Sequence, residues 1–131
     1  MARVPFDETF EPPAPVLPVR VGGIDDHDPA AMLRMLVDTG ADCTLIPAQV
    51  ARSLRLPVVD RMQIEGVGGI AQATIHAAHV HVGGMRVMAR VAAYGNEALL
   101  GRDVLNKMLV EIDGPGLTIT TTAPRTKRPR R

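Results

Sequence analysis

A single, mostly β domain is the fold class this chain predicts, on three observations. Its apolar segments are short, glycine or proline punctuates most of them, and only two stretches carry helical spacing. With 131 residues, 46% of them hydrophobic, the chain can build one real core. Aromatic residues are only 2%, so Val, Leu, Ile, Ala and Met have to fill that core.

The elements follow in order. Residues 1–16 form a proline-rich arm, because Pro5, Pro12, Pro13 and Pro15 remove backbone donors and block helix. Such an arm is either disordered or laid along a partner subunit. The folded domain is expected over residues 17–122, opening with a strand over 17–24. Asp25-Asp26-His27-Asp28-Pro29 is a turn by composition, since its carboxylates match no metal-loop spacing. Residues 31–37 are nearly all apolar, as in a strand covered on both faces. A second apolar segment covers 43–46, and Pro47 opens a helix over 48–56, which Pro57 ends. Strands over 58–65 and 70–82 flank the flexible tip Gly66-Val67-Gly68-Gly69. Gly83-Gly84 turns into a strand over 85–94, where Met85, Val87, Ala89 and Val91 alternate with other residues. A short helix over 102–108 and strands over 109–112 and 117–121 complete the domain, around the turn Asp113-Gly114-Pro115-Gly116. Residues 123–131 are a basic tail.

The net charge of +1 conceals an asymmetry. Arg125, Lys127, Arg128, Arg130 and Arg131 crowd the last residues, and removing those five charges leaves −4 on the rest. Such a tail suits contact with nucleic acid or an acidic surface, but a solvated, disordered end is the simpler reading. Base stacking on aromatic rings is not expected, because aromatic residues are so few. One cysteine, Cys43, excludes an internal disulfide and reads as a small core residue. No signal peptide and no bilayer-length apolar run is visible, so a cytoplasmic protein without a membrane partner is expected. His76, His79 and His81 lie close together, but on a strand only His79 and His81 share a face. They read as exposed strand histidines, and neither metal nor cofactor is expected. The glycine-rich tip has no lysine or helix start behind it, which argues against a phosphate loop.

One feature calls for chemistry. The apolar strand over 31–37 runs straight into Asp38-Thr39-Gly40 and then into Thr44-Leu45-Ile46. A carboxylate beside buried flanks costs free energy unless it is hydrogen-bonded or shares a proton. Thr39 offers a hydroxyl donor, and Gly40 permits a tight turn whose N–H groups can face the acid. A plain surface turn would need no such buried flanks.

The run from Leu36 to Ile46 resembles the active-site loop of retropepsin-like aspartic peptidases. The stretch from Ile64 to Ile70 resembles their glycine-rich flap. Leu99-Leu100-Gly101-Arg102-Asp103 resembles their late apolar pair and short helix. The three landmarks come in the family's order. The resemblance implies a closed retropepsin-like barrel, one lobe per chain, and an endopeptidase that works as a homodimer on a peptide or protein. It implies that Asp38, Thr39 and Gly40 are catalytic, with Thr39 bonding across the dimer axis. It implies substrate contacts from Ala41, Asp42, Val67, Gly68, Gly69 and Leu99, and a structural Arg102 paired with Asp42. Glu97 near the same wall would favour a basic substrate side chain if it points inward. With one Asp-Thr-Gly in the chain, the second carboxylate has to come from another copy. The alternative on the same fold is a dimeric module that binds peptides without cutting them. The long helix over 48–56, the arm and the tail depart from viral relatives, so the dimer contacts are expected to differ, with 117–121 the candidate strand.

Overall fold

The computed structural model describes residues 1–124. The basic residues Arg125 to Arg131, on which the tail reading rests, lie outside them. The chain runs through β1 (Ala2–Pro5), β2 (Val16–Gly22), β3 (Ala30–Val37), β4 (Leu45–Ile46), α1 (Ala48–Ser53), β5 (Val58–Gly66) and β6 (Gly69–Val82). It continues through β7 (Met85–Ala93), β8 (Leu99–Leu100), α2 (Arg102–Leu105), β9 (Leu109–Asp113) and β10 (Thr118–Thr122). The mostly β class and the two short helices stand as the sequence predicts.

Seven strands form one sheet in the order β2-β3-β8-β4-β7-β6-β5, and β2 also pairs with β6. That extra pairing closes the sheet into a barrel, with β5 carried outside on β6. Alternation places Val19 and Val21 of β2, Val80 and Val82 of β6, and Ala89 and Val91 of β7 inside, where Met35, Ile46 and Leu100 join them. The interior is aliphatic throughout, as the aromatic-poor composition requires.

The second sheet has the order β1-β10-β9. It packs onto the barrel through Ile119, which is fully buried in the common core. The approach is close at Gly83, which has φ +57 and where an added Cβ would lie 2.5 Å from Thr121 Oγ1. Only glycine meets both demands.

Three expectations change here. The arm is neither disordered nor left to a partner. Ala2–Pro5 pairs antiparallel with β10, Val4 and Phe6 pack against the core, and Asp7 bridges to Ala14. The prolines allow this because β1 is an edge strand and Pro5 stands at its end. Second, β10 is the middle strand of its sheet, so 117–121 has no free edge to offer a partner; the edge beyond β9 is free among the described residues. Third, both helices stop early. Arg55 turns to φ +53 after α1, and α2 gives way to turns after Leu105. No helix among the described residues is long and apolar enough to cross a membrane.

Deleting residues 1–5 removes the hydrogen bonds of β1, each worth about 0.5–1.5 kcal/mol, and the packing of Val4. The midpoint of urea unfolding should fall; an unchanged midpoint would mean that β1 contributes nothing.

Candidate active site

Asp38 follows directly on β3, and its place is set by β8. The two strands run parallel, with Leu36 opposite Leu99 and Val37 opposite Leu100. Leu36 N–H donates to Ala98 O, and Asp38 N–H donates to Leu100 O, both at 3.0 Å. Beyond that point the chain turns. Ala41 N–H reaches back to Asp38 O at 3.2 Å, and Gly40 N–H donates to Asp38 Oδ1 at 2.9 Å. The carboxylate thus receives the backbone donor expected of the glycine turn. Asp38 is half-buried, while Thr39, Gly40 and Asp42 are exposed.

The loop is held from below by α2. Thr44 is fully buried; its Oγ1 donates to Asp103 Oδ1 at 2.7 Å and accepts from Gly101 N–H at 3.1 Å. Asp103 Oδ2 also accepts from Thr44 N–H at 3.2 Å. Arg102 grips the other side, its N–H donating to Ala41 O at 2.8 Å and its Nη1 to Thr39 O at 2.7 Å. The implied pairing of Arg102 with Asp42 is therefore not what forms. The Arg102 guanidinium is engaged by the Thr39 carbonyl, and among the described residues Asp42 makes no ion pair.

Two cavities flank the loop. One, of about 490 Å³, has Gly40, Ala41, Asp42 and Cys43 as its floor and Met62, Gln63, Ile64 and Glu65 of β5 as its opposite wall. The other, of about 570 Å³, contains Asp38 itself with Leu36, Glu97 and Ala98, and is closed by Asp7 and Phe10 of the arm. Leu99 borders both. Val67, Gly68 and Gly69 line neither. They form the tip of the β5–β6 hairpin, where Gly68 and Gly69 border a smaller depression with Tyr94.

Thr44 and Asp103 were missed as site residues, although a signal existed. A hydroxyl inside the apolar run Thr44-Leu45-Ile46 needs a partner, and an acid in the first turn of a short helix is available to supply one. Other residues also settle differently. His76 is buried rather than exposed: Leu56 O can only accept, so Nδ1 carries a proton, and Nε2 is hydrogen-bonded to Thr74 Oγ1 at 2.8 Å. The His79 and His81 rings meet edge to face at 6.5 Å. Burial and the nearby Arg20 and Arg86 lower the His81 pKa. Cys43 is half-buried, and burial together with Asp103 and Asp42 raises its thiol pKa. Among the described residues no group of three or more His, Cys, Asp or Glu is arranged to hold a metal ion.

A family model described as "gag-polyprotein putative aspartyl protease" matches residues 20–107. Among solved structures, the chain is similar to EIAV protease complexed with the inhibitor HBY-793, at 23% identity and a TM-score of 0.60, over 71% of this chain and 86% of that one. At that identity the likeness concerns the fold. No match was found among the curated proteins.

Thr44→Val would leave the buried Gly101 N–H without an acceptor, costing about 1–3 kcal/mol, and would remove one donor from the Asp103 carboxylate, costing about 0.5–1.5 kcal/mol. Its unfolding free energy should drop by about 2–4 kcal/mol, while Thr44→Ser should lose far less; equal losses would contradict the hydroxyl's role. Because its raised pKa keeps the thiol protonated, native Cys43 should react with iodoacetamide near pH 9 more slowly than the urea-unfolded chain, as read by mass spectrometry.

Proposed function

Since the chain belongs to the gag-polyprotein aspartyl protease family, the retropepsin-like aspartic peptidases, we propose that it is an endopeptidase in which Asp38 residues from two copies activate one water. The observation that carries this reading is the half-exposed Asp38 carboxylate, fixed by Gly40 N–H at 2.9 Å on the wall of an open cavity. In aspartic proteases generally, two carboxylates about 3 Å apart cannot both ionise and so share a proton. The ionised one takes a proton from the water as it attacks the peptide carbonyl carbon. The protonated one donates to the carbonyl oxygen, and the pair titrates as a unit. Thr39 would hold the two loops together across the axis. Gly40, Ala41 and Asp42 would meet the substrate backbone, and Leu99 would contact its side chains from both cavities.

One Asp-Thr-Gly per chain makes the homodimer a requirement of the chemistry. The edge of β9 supports a place for it. It is unpaired among the described residues, carries the exposed Leu109 and Ile112, and follows α2, whose Arg102 grips the Asp38 loop. Two copies joined antiparallel along β9 would merge their three-stranded sheets into one of six strands. The hairpin tip suits a flap. Val67 is fully exposed, and an added Cβ on Gly66, Gly68 or Gly69 would meet nothing within 4 Å, so the tip is free to descend over a bound peptide and exclude water.

The direct test is cleavage of a peptide library at about pH 4–6, the range of a shared-proton pair. Asp38→Asn should lower kcat/KM by at least about 10²–10⁴-fold while the fold and dimer persist. Equal cleavage by both proteins would overturn the role of Asp38, and binding of peptides by a verified dimer that cuts none of them would replace the peptidase by a peptide-binding module.

A further inference from the structure

The cavity that contains Asp38 has an unbalanced charge. Three carboxylates line it, from Asp7, Asp38 and Glu97, against one guanidinium, from Arg34. Two of the four groups neutralise each other. Arg34 Nη2 lies 3.1 Å from Asp7 Oδ2, and Thr9 donates to Asp7 Oδ1 through both its N–H and its hydroxyl. Asp7 therefore has both oxygens occupied, and its pKa is lowered by the Thr9 bonds and then by Arg34. Asp38 is committed to the chemistry. Glu97 is exposed and makes no ion pair or hydrogen bond among the described residues, which leaves it as the uncommitted acid of the cavity. The remaining walls are the apolar Phe10, Val16, Leu36, Ala98 and Leu99 and the neutral polar Asn96. Across Leu99, the second cavity holds Asp42 and Glu65 and no basic residue.

A cavity with several apolar walls and an exposed, unpaired carboxylate among its lining residues suits a side chain with a hydrocarbon stem and a cationic head. We propose that this cavity is a specificity pocket for a lysine or arginine side chain of the substrate, with Glu97 receiving the cation and the Asp7–Arg34 pair closing the wall. The arm thereby acquires a functional part: Phe10 and Asp7 complete a pocket that the barrel alone leaves open. The proposal rests on the peptidase reading. In a two-fold dimer the cavity occurs twice, once on each side of the paired Asp38 residues, so the basic preference falls on both sides of the scissile bond.

The test uses the full chain and peptides that differ only at one residue flanking the scissile bond: lysine, the nearly isosteric but uncharged norleucine, or glutamate. Wild type should prefer lysine to norleucine by about fivefold or more in kcat/KM, since a pair this exposed is worth little more unless a closed flap dries it. Glu97→Gln should bring that ratio close to one, and Glu97→Lys should move the preference to glutamate. A wild type with no lysine preference, or a Glu97→Gln enzyme that keeps it, overturns the pocket and leaves the peptidase intact. If no peptide is cut, the peptidase reading fails, and fluorescence anisotropy of the labelled peptides on Asp38→Asn decides the pocket separately. Tighter lysine binding that disappears in Asp38→Asn/Glu97→Gln supports it; equal affinity for lysine and norleucine overturns it.

Discussion

The site depends on one crossing. In the sheet, β8 lies between β3 and β4, although β3 and β4 are the strands that directly flank the Asp38 loop in sequence. The loop therefore has to pass over the end of β8, at Gly101. An added Cβ there would sit 2.6 Å from the Cys43 carbonyl carbon and 2.9 Å from Thr44 N, so no side chain fits beneath the loop. The contact is sealed by hydrogen bonds rather than by apolar packing: Gly101 N–H, Thr44 Oγ1 and the Asp103 carboxylate form one chain of donors and acceptors. Such a satisfied, largely buried network favours one arrangement, because losing the Thr44 hydroxyl leaves the buried Gly101 N–H unpaired. It anchors the C-terminal side of the loop, while Gly40 N–H holds the Asp38 carboxylate.

Much of this was legible in the sequence, and what was not has physical causes. The strands announce themselves through alternation and glycine turns, and the Asp38 loop through a carboxylate between apolar flanks. Helix ends were less legible. Residues 54–56 keep helical spacing, yet the positive φ of Arg55 breaks the helix before Pro57 does. The arm misled for a better reason. Its prolines exclude a helix and a central strand, but an edge strand tolerates them, and local sequence does not say that β10 needs a neighbour. Partner choice was the least legible level. The guanidinium of Arg102 had two plausible acceptors, the Asp42 carboxylate and the Thr39 carbonyl, and only the folded geometry selects the second. Asp103, one residue on, holds the loop through Thr44.

The two faces of the loop have different tasks. Inward, towards Gly101 and α2, Thr44 and Gly101 are buried and hydrogen-bonded, and the half-buried Asp103 carboxylate is paired with them. Outward, Asp38 and Asp42 border open cavities, the one at Asp42 walled by β5 of the hairpin, whose tip touches little. On the proposed peptidase reading, a rigid base with an adaptable hairpin is the division that positioning catalysis requires, since the reacting groups would hold still while the substrate is enclosed. The arm joins the two levels: β1 completes the lower sheet through β10, and Asp7 and Phe10 reach the wall of the upper cavity.

The central claim is that half an active site resides in each chain, and it is tested most directly by measuring association and activity on the same samples. Sedimentation equilibrium over a dilution series gives the fraction of dimer, against a chain mass of 14.0 kDa, and peptide cleavage gives activity per chain. The account predicts that activity per chain falls with the dimer fraction and vanishes in the monomer. Constant activity per chain in samples that sediment as monomer would contradict it.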